Sequence, residues 1–217
     1  MEAGRWGLQI EREVPHFCGM EKISMENLGR MSVPDFKTRP KTPLILVLDS
    51  VRSGLNVGSI FRSADAFALE KILLCGITAQ PPHREILKTA LGSTDSVDWE
   101  YFSSAADAIR GLKNEGYEVF AIEQTSQKIW LQDFSPSKEK RFAFVLGNEV
   151  DGVGNEALAL CDGVLEIPQF GTKHSLNVAV AAGIVVWEFV RKIGMGFKTA
   201  SESPNISEGS PNATILP

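Results

Sequence analysis

The chain has few cysteines, no long apolar run and no excess of basic residues. Its 3 cysteines, Cys18, Cys75 and Cys161, lie far apart and form no C-x-x-C pair. This spacing argues against a disulfide framework and a zinc site, and it favours a reducing compartment. The longest apolar run, 178–187, is shorter than the roughly 20 residues that a membrane-spanning helix needs. Because charged residues interrupt the N-terminal segment, we expect a soluble, cytoplasmic protein without a secretory signal.

The charge balance says little about nucleic acids. The 22 lysines and arginines are outnumbered by 27 acidic residues, which gives a formal net charge of −5. Nucleic-acid binding depends on basic side chains that neutralise phosphates. Any RNA contact must therefore be a local basic patch on an acidic body, which a second subunit would enlarge.

The distribution of apolar and amphipathic stretches along the sequence predicts one α/β domain between two less regular ends. Short runs rich in Val, Ile, Leu and Phe alternate with amphipathic stretches from Pro43 onwards, which is typical of a mostly parallel sheet with helices on both faces. The predicted strands are 44–48, 71–75, 97–102, 117–122, 142–146 and 164–167. The predicted helices are 57–68, 84–91, 105–115, 155–160 and 175–193. We expect an N-terminal arm over 1–42 with a short helix at 20–28, a catalytic domain over 43–195 and a disordered tail over 196–217.

Polar and glycine residues cluster after the first predicted strand, in residues 49–65. A helix that begins near Val57 would bury one face and expose the other. The buried face would hold Ile60, Ala64, Phe67 and Ala68, and the exposed face Asn56, Ser59, Arg62 and Ser63. Asn56 is then a candidate N-cap, and Gly54 and Gly58 allow a tight turn and close approach of another backbone. The alternative is an ordinary capped helix with a solvated Arg62.

A second segment, 142–154, runs from a fully apolar strand into a glycine-rich loop. It matches neither G-x-G-x-x-G nor G-x-x-x-x-G-K-[ST], so phosphate or dinucleotide binding is not supported. Glu149 and Asp151 would repel an anion over that turn, whereas they would tolerate a cationic sulfonium. Taken alone, the segment is equally typical of an ordinary strand-to-helix turn.

The third segment, 164–187, leads from a strand that ends at Pro168 into a very apolar helix that we expect to start at Ser175 or Leu176. The positive N-terminal end of such a helix can bind polar or negatively charged groups. His174 in the preceding loop is more typical of a hydrogen-bonding neighbour than of a base. Ser175 has no evident His and Asp partners, so we interpret it as a cap or a ligand contact.

Together, in this order and spacing, the three segments resemble the motifs of the SpoU (TrmH-like) family of RNA 2′-O-ribose methyltransferases, within the SPOUT superfamily. The motifs read N-x-G-x-x-x-R from Asn56, L-G-N-E-x-x-G from Leu146 and I-P-x-x-G-x-x-x-S-L-N-V-A-V-A from Ile167. The resemblance covers residues 43–193. One departure is Gln169-Phe170, where the family often has a methionine.

The resemblance implies a deep C-terminal trefoil knot, a feature otherwise almost absent from proteins. It also implies S-adenosylmethionine as cofactor, bound largely through backbone groups, with no metal. The residues that would bind the cofactor are Glu123, Gln124, Leu146, Gly147, Asn148, Ile167, Gly171, Ser175 and Leu176. Those that would act in catalysis are Arg62, Asn56, Ser175, Asn177 and Glu149.

Relatives of this kind work as homodimers, in which Arg62 of one subunit would reach the methyl site of the other. A guanidinium is a poor base at neutral pH, so our hypothesis is that Arg62 clamps a phosphate and stabilises negative charge on the ribose oxygen. The candidate RNA-binding residues are Arg52, Arg62, Arg84, Lys88 and Lys173. The RNA is expected to be a tRNA or an rRNA.

Two other classes of function stay open. The acidic charge allows a non-catalytic adaptor of the same fold that binds S-adenosylmethionine or RNA. The α/β pattern alone also allows a flavodoxin-like nucleotide-binding module, although the sequence lacks a phosphate-binding loop.

Overall fold

A computed structural model describes residues 31–173 and 175–194, together with Lys22 and Gly29. The predicted helix at 20–28, His174 and the predicted tail lie outside the described residues, apart from Lys22. The chain divides into two compact units, 1–32 and 33–217. Every element below belongs to the second unit. The division into an arm over 1–42, a catalytic domain over 43–195 and a tail over 196–217 stays a prediction.

Seven strands and seven α-helices make up the described part of the second unit. The strands are β1 Thr42–Asp49, β2 Leu69–Cys75, β3 Trp99–Phe102, β4 Tyr117–Ile122, β5 Ile129–Trp130, β6 Arg141–Leu146 and β7 Gly163–Glu166. The helices are α1 Val33–Thr38, α2 Gly54–Ala66, α3 Arg84–Ala90, α4 Ser93–Ser96, α5 Ala105–Asn114, α6 Asn155–Leu160 and α7 Val178–Ile193. A 3₁₀ turn, Leu131–Asp133, follows β5.

The strands form one sheet in the order β3-β2-β1-β6-β4-β7-β5, and every pairing between them is parallel. The predicted parallel α/β fold is confirmed. Strand β6 lies between β1 and β4, and β7 lies between β4 and β5, so both late strands insert between strands that precede them in the chain. This order differs from the 2-1-3-4-5 order of flavodoxin. The trefoil knot stays a prediction.

Alternating side chains of the central strands separate two apolar layers. Leu44, Leu46 and Leu48 of β1 pack in one cluster with α2, α3 and α7. Ile45 and Val47, which point the other way, pack in a second cluster with α5 and α6. Successive strand side chains face opposite sides of a sheet, so these two clusters are its two covered faces. The prediction of helices on both faces is therefore confirmed.

Two helices begin at residues other than those predicted. Helix α2 starts at Gly54, three residues before Val57, because Ser53 has extended backbone and its hydroxyl accepts the Asn56 N–H at 3.3 Å. Ser53 is thus the N-cap, and our assignment of Asn56 as the cap is wrong. A cap needs a non-helical backbone, whereas Asn56 lies inside the first turn.

Helix α7 begins at Val178, so the predicted start at Ser175 or Leu176 is also wrong. Its cap is Asn177, whose side-chain oxygen accepts the N–H groups of Ala179 at 2.9 Å and Val180 at 3.3 Å. An asparagine oxygen that satisfies two free backbone donors fixes a helix start more firmly than an apolar residue does. Ser175 therefore does not cap the helix.

The elements that sequence patterns missed are short. They are α1, α4 and the two-residue strand β5, each with too few residues to show a period. Within the described residues, no helix combines the length and apolar character needed to cross a membrane.

Candidate functional site

A cavity of about 480 Å³ opens at the carboxyl ends of β6, β4 and β7, which are neighbours in the sheet. Open parallel α/β sheets place ligands at this edge, where the loops after adjacent strands diverge. The loops after β4, β6 and β7 and the beginning of α7 form its walls. The second and third segments identified from the sequence therefore meet around one space.

Most of the predicted cofactor residues line this cavity. They are Glu123, Gln124, Leu146, Gly147, Asn148, Ile167, Ser175 and Leu176. Gly171 is exposed outside the lining, and a Cβ placed there would meet no atom within 4 Å. Of the predicted catalytic residues, Glu149 and Ser175 line the cavity, whereas Arg62, Asn56 and Asn177 do not. The role of each residue stays a prediction.

Close packing leaves no room for side chains at two glycines of the wall. A Cβ at Gly147 would overlap the Gly152 carbonyl and the Val153 nitrogen. Gly152 has a φ of +69°, and a Cβ there would overlap the Glu123 carboxylate. That carboxylate accepts the N–H groups of Val153 at 3.1 Å and Gln124 at 2.8 Å, which ties the loop after β4 to the loop after β6.

The loop after β6 is a compact turn held by its own asparagine. The side-chain oxygen of Asn148 accepts the N–H groups of Val150 and Asp151, both at 2.8 Å. Its backbone exchanges two hydrogen bonds with Gly152, at 3.1 and 3.2 Å. With its polar groups satisfied internally, the turn is held in one shape around the cavity.

Glu149 joins this loop to the amino end of α2. Its carboxylate accepts the Asn56 side-chain N–H at 2.9 Å and the backbone N–H groups of Arg52 at 3.2 Å and Ser53 at 3.3 Å. Partial burial raises the pKa of Glu149, but these hydrogen bonds outweigh burial and hold that pKa below its ordinary value. Glu149 is therefore an anion that anchors the first segment to the second.

The first segment is joined to the third through two asparagines. The Asn56 oxygen accepts the Asn177 side-chain N–H at 3.1 Å, while the Asn177 oxygen caps α7. A continuous chain, Glu149–Asn56–Asn177, thus crosses all three segments. The side chains of Asn56 and Asn177 are hydrogen-bonded to one another, and Asn177 also caps the start of α7. In this geometry the two residues therefore position the site.

Arg62 lies on the exposed surface of α2, away from the cavity wall of its own chain. Its side chain forms no ion pair or hydrogen bond with any residue that the structure describes, and the same is true of Arg84, Lys88 and Lys173. Arg52 lies 4.0 Å from Asp151, with both side chains largely exposed. The five candidate RNA-binding residues are therefore solvent-facing cations.

Four carboxylates, those of Glu123, Glu149, Asp151 and Glu166, line the cavity, and no lysine or arginine among the described residues lines it. A cationic sulfonium fits such a lining better than a phosphate-bearing nucleotide does. Within the part of the chain described, no group of three or more His, Cys, Asp or Glu could hold a metal ion. Independence from metals stays a prediction.

Sequence reasoning missed several contributors to the site. Asp49, the last residue of β1, accepts the Gly154 N–H at 2.9 Å. Val178 and Ala181 of α7 and Glu166 of β7 line the cavity. The position of Asp49 and Glu166 at the ends of buried strands was a usable signal, because such ends carry ligand sites.

The fold and the cavity define a parallel α/β protein that binds its ligand at the carboxyl edge of the sheet. A family model identifies it further: residues 43–187 match the model described as the SpoU rRNA Methylase family. The chain belongs to this family, which confirms the resemblance read from the three motifs. The flavodoxin-like alternative loses its basis, because both the family and the strand order differ.

Curated and solved relatives agree with the assignment. The chain is 30% identical over 168 residues to the 23S rRNA (guanosine-2′-O-)-methyltransferase RlmB of Vibrio parahaemolyticus. The aligned region covers 77% of this chain and 66% of the relative. It thus spans just under two thirds of that relative's length. An AdoMet-bound rRNA methyltransferase from Sinorhizobium meliloti superposes with a TM-score of 0.64 at 29% identity, covering 70% and 57% of the two chains. The A. aeolicus TrmH/SpoU tRNA modifying enzyme gives 0.64 at 26% identity, covering 72% and 78%.

Proposed function

We propose that this chain is an S-adenosylmethionine-dependent RNA methyltransferase that acts on a ribose 2′-hydroxyl of an rRNA or tRNA in the cytoplasm. The observation that carries the proposal is the convergence of the three family segments. The second and third segments line one cavity. The hydrogen-bonded series Glu149–Asn56–Asn177 joins the first segment to both of them. The names of the relatives, which include an rRNA (guanosine-2′-O-)-methyltransferase and a tRNA modifying enzyme, support the same activity.

Gly147 and Gly152 form a part of the wall that we call the glycine cradle. This cradle and the acidic lining of the cavity suit the proposed cofactor. Gly147, Ile167 and Leu176 would hold it, with Glu123 keeping the loops after β4 and β6 together around it. When bound, S-adenosylmethionine would supply a methyl group on a positively charged sulfur. The protein's part is to orient the groups and to exclude water, because proximity and orientation supply much of the acceleration in such a displacement.

Arg62 provides the positive charge for the acceptor side. Its unpaired guanidinium can clamp a phosphate and stabilise negative charge that develops on the ribose oxygen. Because Arg62 does not line the cavity of its own chain, we place it at the cavity of a second copy. Helix α7 offers an apolar face for such a homodimer, with Val180, Ile184 and Trp187 at 52%, 37% and 47% exposure.

The proposed RNA surface is formed by cations that have no acidic partner in the structure. Arg62, Arg84, Lys88 and Lys173 are of this kind, whereas Arg110, Lys113 and Arg191 pair with nearby acids. A paired cation is already neutralised, but an unpaired one can exchange its counterion for a phosphate. A chain with a net charge of −5 can therefore still present a basic RNA-binding face.

Methyl incorporation from labelled S-adenosylmethionine into rRNA and tRNA tests the proposal, with mapping of the product to the 2′-oxygen. We expect Arg62→Ala to lower turnover by about 10²–10³-fold with donor binding unchanged, as when a charge-stabilising donor is removed from other enzymes. Arg62→Lys keeps the charge but loses the bidentate fork. Near-normal turnover by Arg62→Lys would refute the clamp, and cofactor binding without methyl incorporation would favour the adaptor.

A further inference from the structure

The ion pair between Lys128 and Glu166 closes one end of the cavity wall, and neither residue belongs to the family motifs. Lys128 Nζ lies 2.5 Å from Glu166 Oε2, and the two side chains are only 28% and 11% exposed. The Lys128 ammonium also lies 4.4 Å from the centre of the Trp130 ring. Glu166 Oε2 is shielded from solvent, and no hydrogen bond from a group that the structure describes satisfies it otherwise.

The pair joins two walls of the cavity. Lys128 ends the connection between β4 and β5 whose first residues, Glu123, Gln124 and Thr125, line the cavity. Glu166 ends β7 and lines the cavity together with the next residue, Ile167. The connection is fastened at its start by the Glu123–Val153 hydrogen bond and at its end by Lys128.

The chain is anchored again at Leu131, which is buried and whose carbonyl accepts from Lys192, but before that point few other contacts hold this end of the connection. Strand β5 has only two residues, it pairs only with β7, and its Ile129 and Trp130 side chains are 40% and 38% exposed. Two paired residues at a sheet edge bury little apolar surface and open easily. A partly buried ion pair differs from a surface pair, because breaking it leaves a charge that water reaches poorly.

We propose that Lys128 is a positioning residue that, through Glu166, latches the 123–128 wall and Ile167 around the methyl donor. The inference rests on the proposed function, because the ligand it concerns is the donor. The latch sets how tightly the donor is bound and leaves the rate of the bound complex unchanged, since Lys128 itself does not line the cavity. Lys128→Met and Glu166→Gln remove it with little change in side-chain volume.

Calorimetric titration of the full chain with S-adenosylmethionine tests the latch. We expect Lys128→Met to raise Kd and KM by about tenfold, which is about 1.4 kcal/mol, with kcat at saturating donor unchanged. Lys128→Arg, which keeps the charge, should restore most of the affinity. Lys71→Met is the matched control, because Lys71 forms an exposed pair with Glu100 outside the cavity and its loss should leave Kd unchanged.

Hydrogen exchange gives a readout that needs no ligand. Amides of 124–130 should exchange faster in Glu166→Gln than in the wild type or in Lys71→Met. An unchanged Kd in Lys128→Met, or a fall in kcat with Kd unchanged, would overturn the proposal. Failure of the wild type to bind the donor would instead refute the proposed function, and faster exchange at 124–130 would then still separate the two ideas.

Discussion

At the amino ends of the strands, basic side chains are paired with acids, whereas on the surface of α2 and α3 they face solvent alone. Arg141 at the start of β6 contacts Glu70 at 3.8 Å, donates to the Tyr117 hydroxyl at 3.0 Å and stacks on the Tyr117 ring. Arg62 and Arg84 have no such partner among the described residues. The difference shows that basic side chains near the surface have two uses. Paired with acids they stabilise the fold, and unpaired they leave a surface available to phosphate.

The same contrast appears in what surrounds the polar groups. Tyr117 is 4% exposed, and burial together with its hydrogen bond to Glu70 raises the pKa of its hydroxyl well above the ordinary value. At the cavity, by contrast, Glu149 is held as an anion by donors from another segment. Changes in the first region should affect stability alone, and changes in the second should affect ligand binding.

Among the changes that test this comparison, Gly147→Ala at the cavity is expected to have the largest effect. The added Cβ would overlap the Gly152 carbonyl and the Val153 nitrogen, both backbone atoms, so the loop after β6 must move. Overpacking of this kind costs about 1–3 kcal/mol, and we expect about 5- to 150-fold weaker donor binding by calorimetry. Gly171→Ala is the control, because its Cβ would meet open space. Equal donor affinity in both variants would contradict the cradle.

Tyr117→Phe tests the other region of this comparison, the amino ends of the strands. It removes the hydroxyl that links Glu70 and Arg141, and we expect a loss of about 1 kcal/mol in the free energy of unfolding by urea denaturation. Donor affinity and turnover should stay at the wild-type level. A change in either, at a temperature where the variant is folded, would mean that the amino ends of the strands are not independent of the site.

A smaller effect is expected when the unpaired cations of α3 are removed together. The double variant Arg84→Ala, Lys88→Ala should weaken RNA binding several-fold and lower the salt dependence of log K by about 2 units, one for each lost phosphate contact. Filter binding at several salt concentrations measures the slope. Lys37→Ala is the matched control, because Lys37 already pairs with Asp98. An unchanged slope in the double variant would remove α3 from the RNA surface.

The smallest expected effect is a pH dependence at Glu149. Its hydrogen bonds hold the pKa of this carboxyl below the ordinary value in the folded protein, so its contribution to stability is complete above the ordinary pKa. It is lost as the pH falls through the lowered folded value. Urea unfolding at about pH 7 and about pH 3 should therefore show a larger advantage of the wild type over Glu149→Gln at the higher pH. An advantage that grows in acid would reverse the assignment.

Much of the fold could be predicted because its signals are local. The strands β1, β4 and β6 each contain an apolar run, and such runs in alternation with helices indicate a parallel sheet. Helix starts were less predictable. Ser53 and Asn177 both cap helices, but the sequence offers Asn56 and Ser175 as equal candidates nearby. Which residue becomes the cap depends on backbone angles that the neighbouring elements impose.

The sequence alone determined the alternation of apolar strands and helices, the glycine-bearing turns and the three motifs that define the family, because each depends on residues close together in the chain. Only the tertiary structure decided the strand order, the meeting of three loops around one cavity and the chain Glu149–Asn56–Asn177. It also decided which cations are paired, as Lys128 is with Glu166 and Arg62 is not. These are contacts between residues tens of positions apart, and their energies depend on distances that no local pattern records.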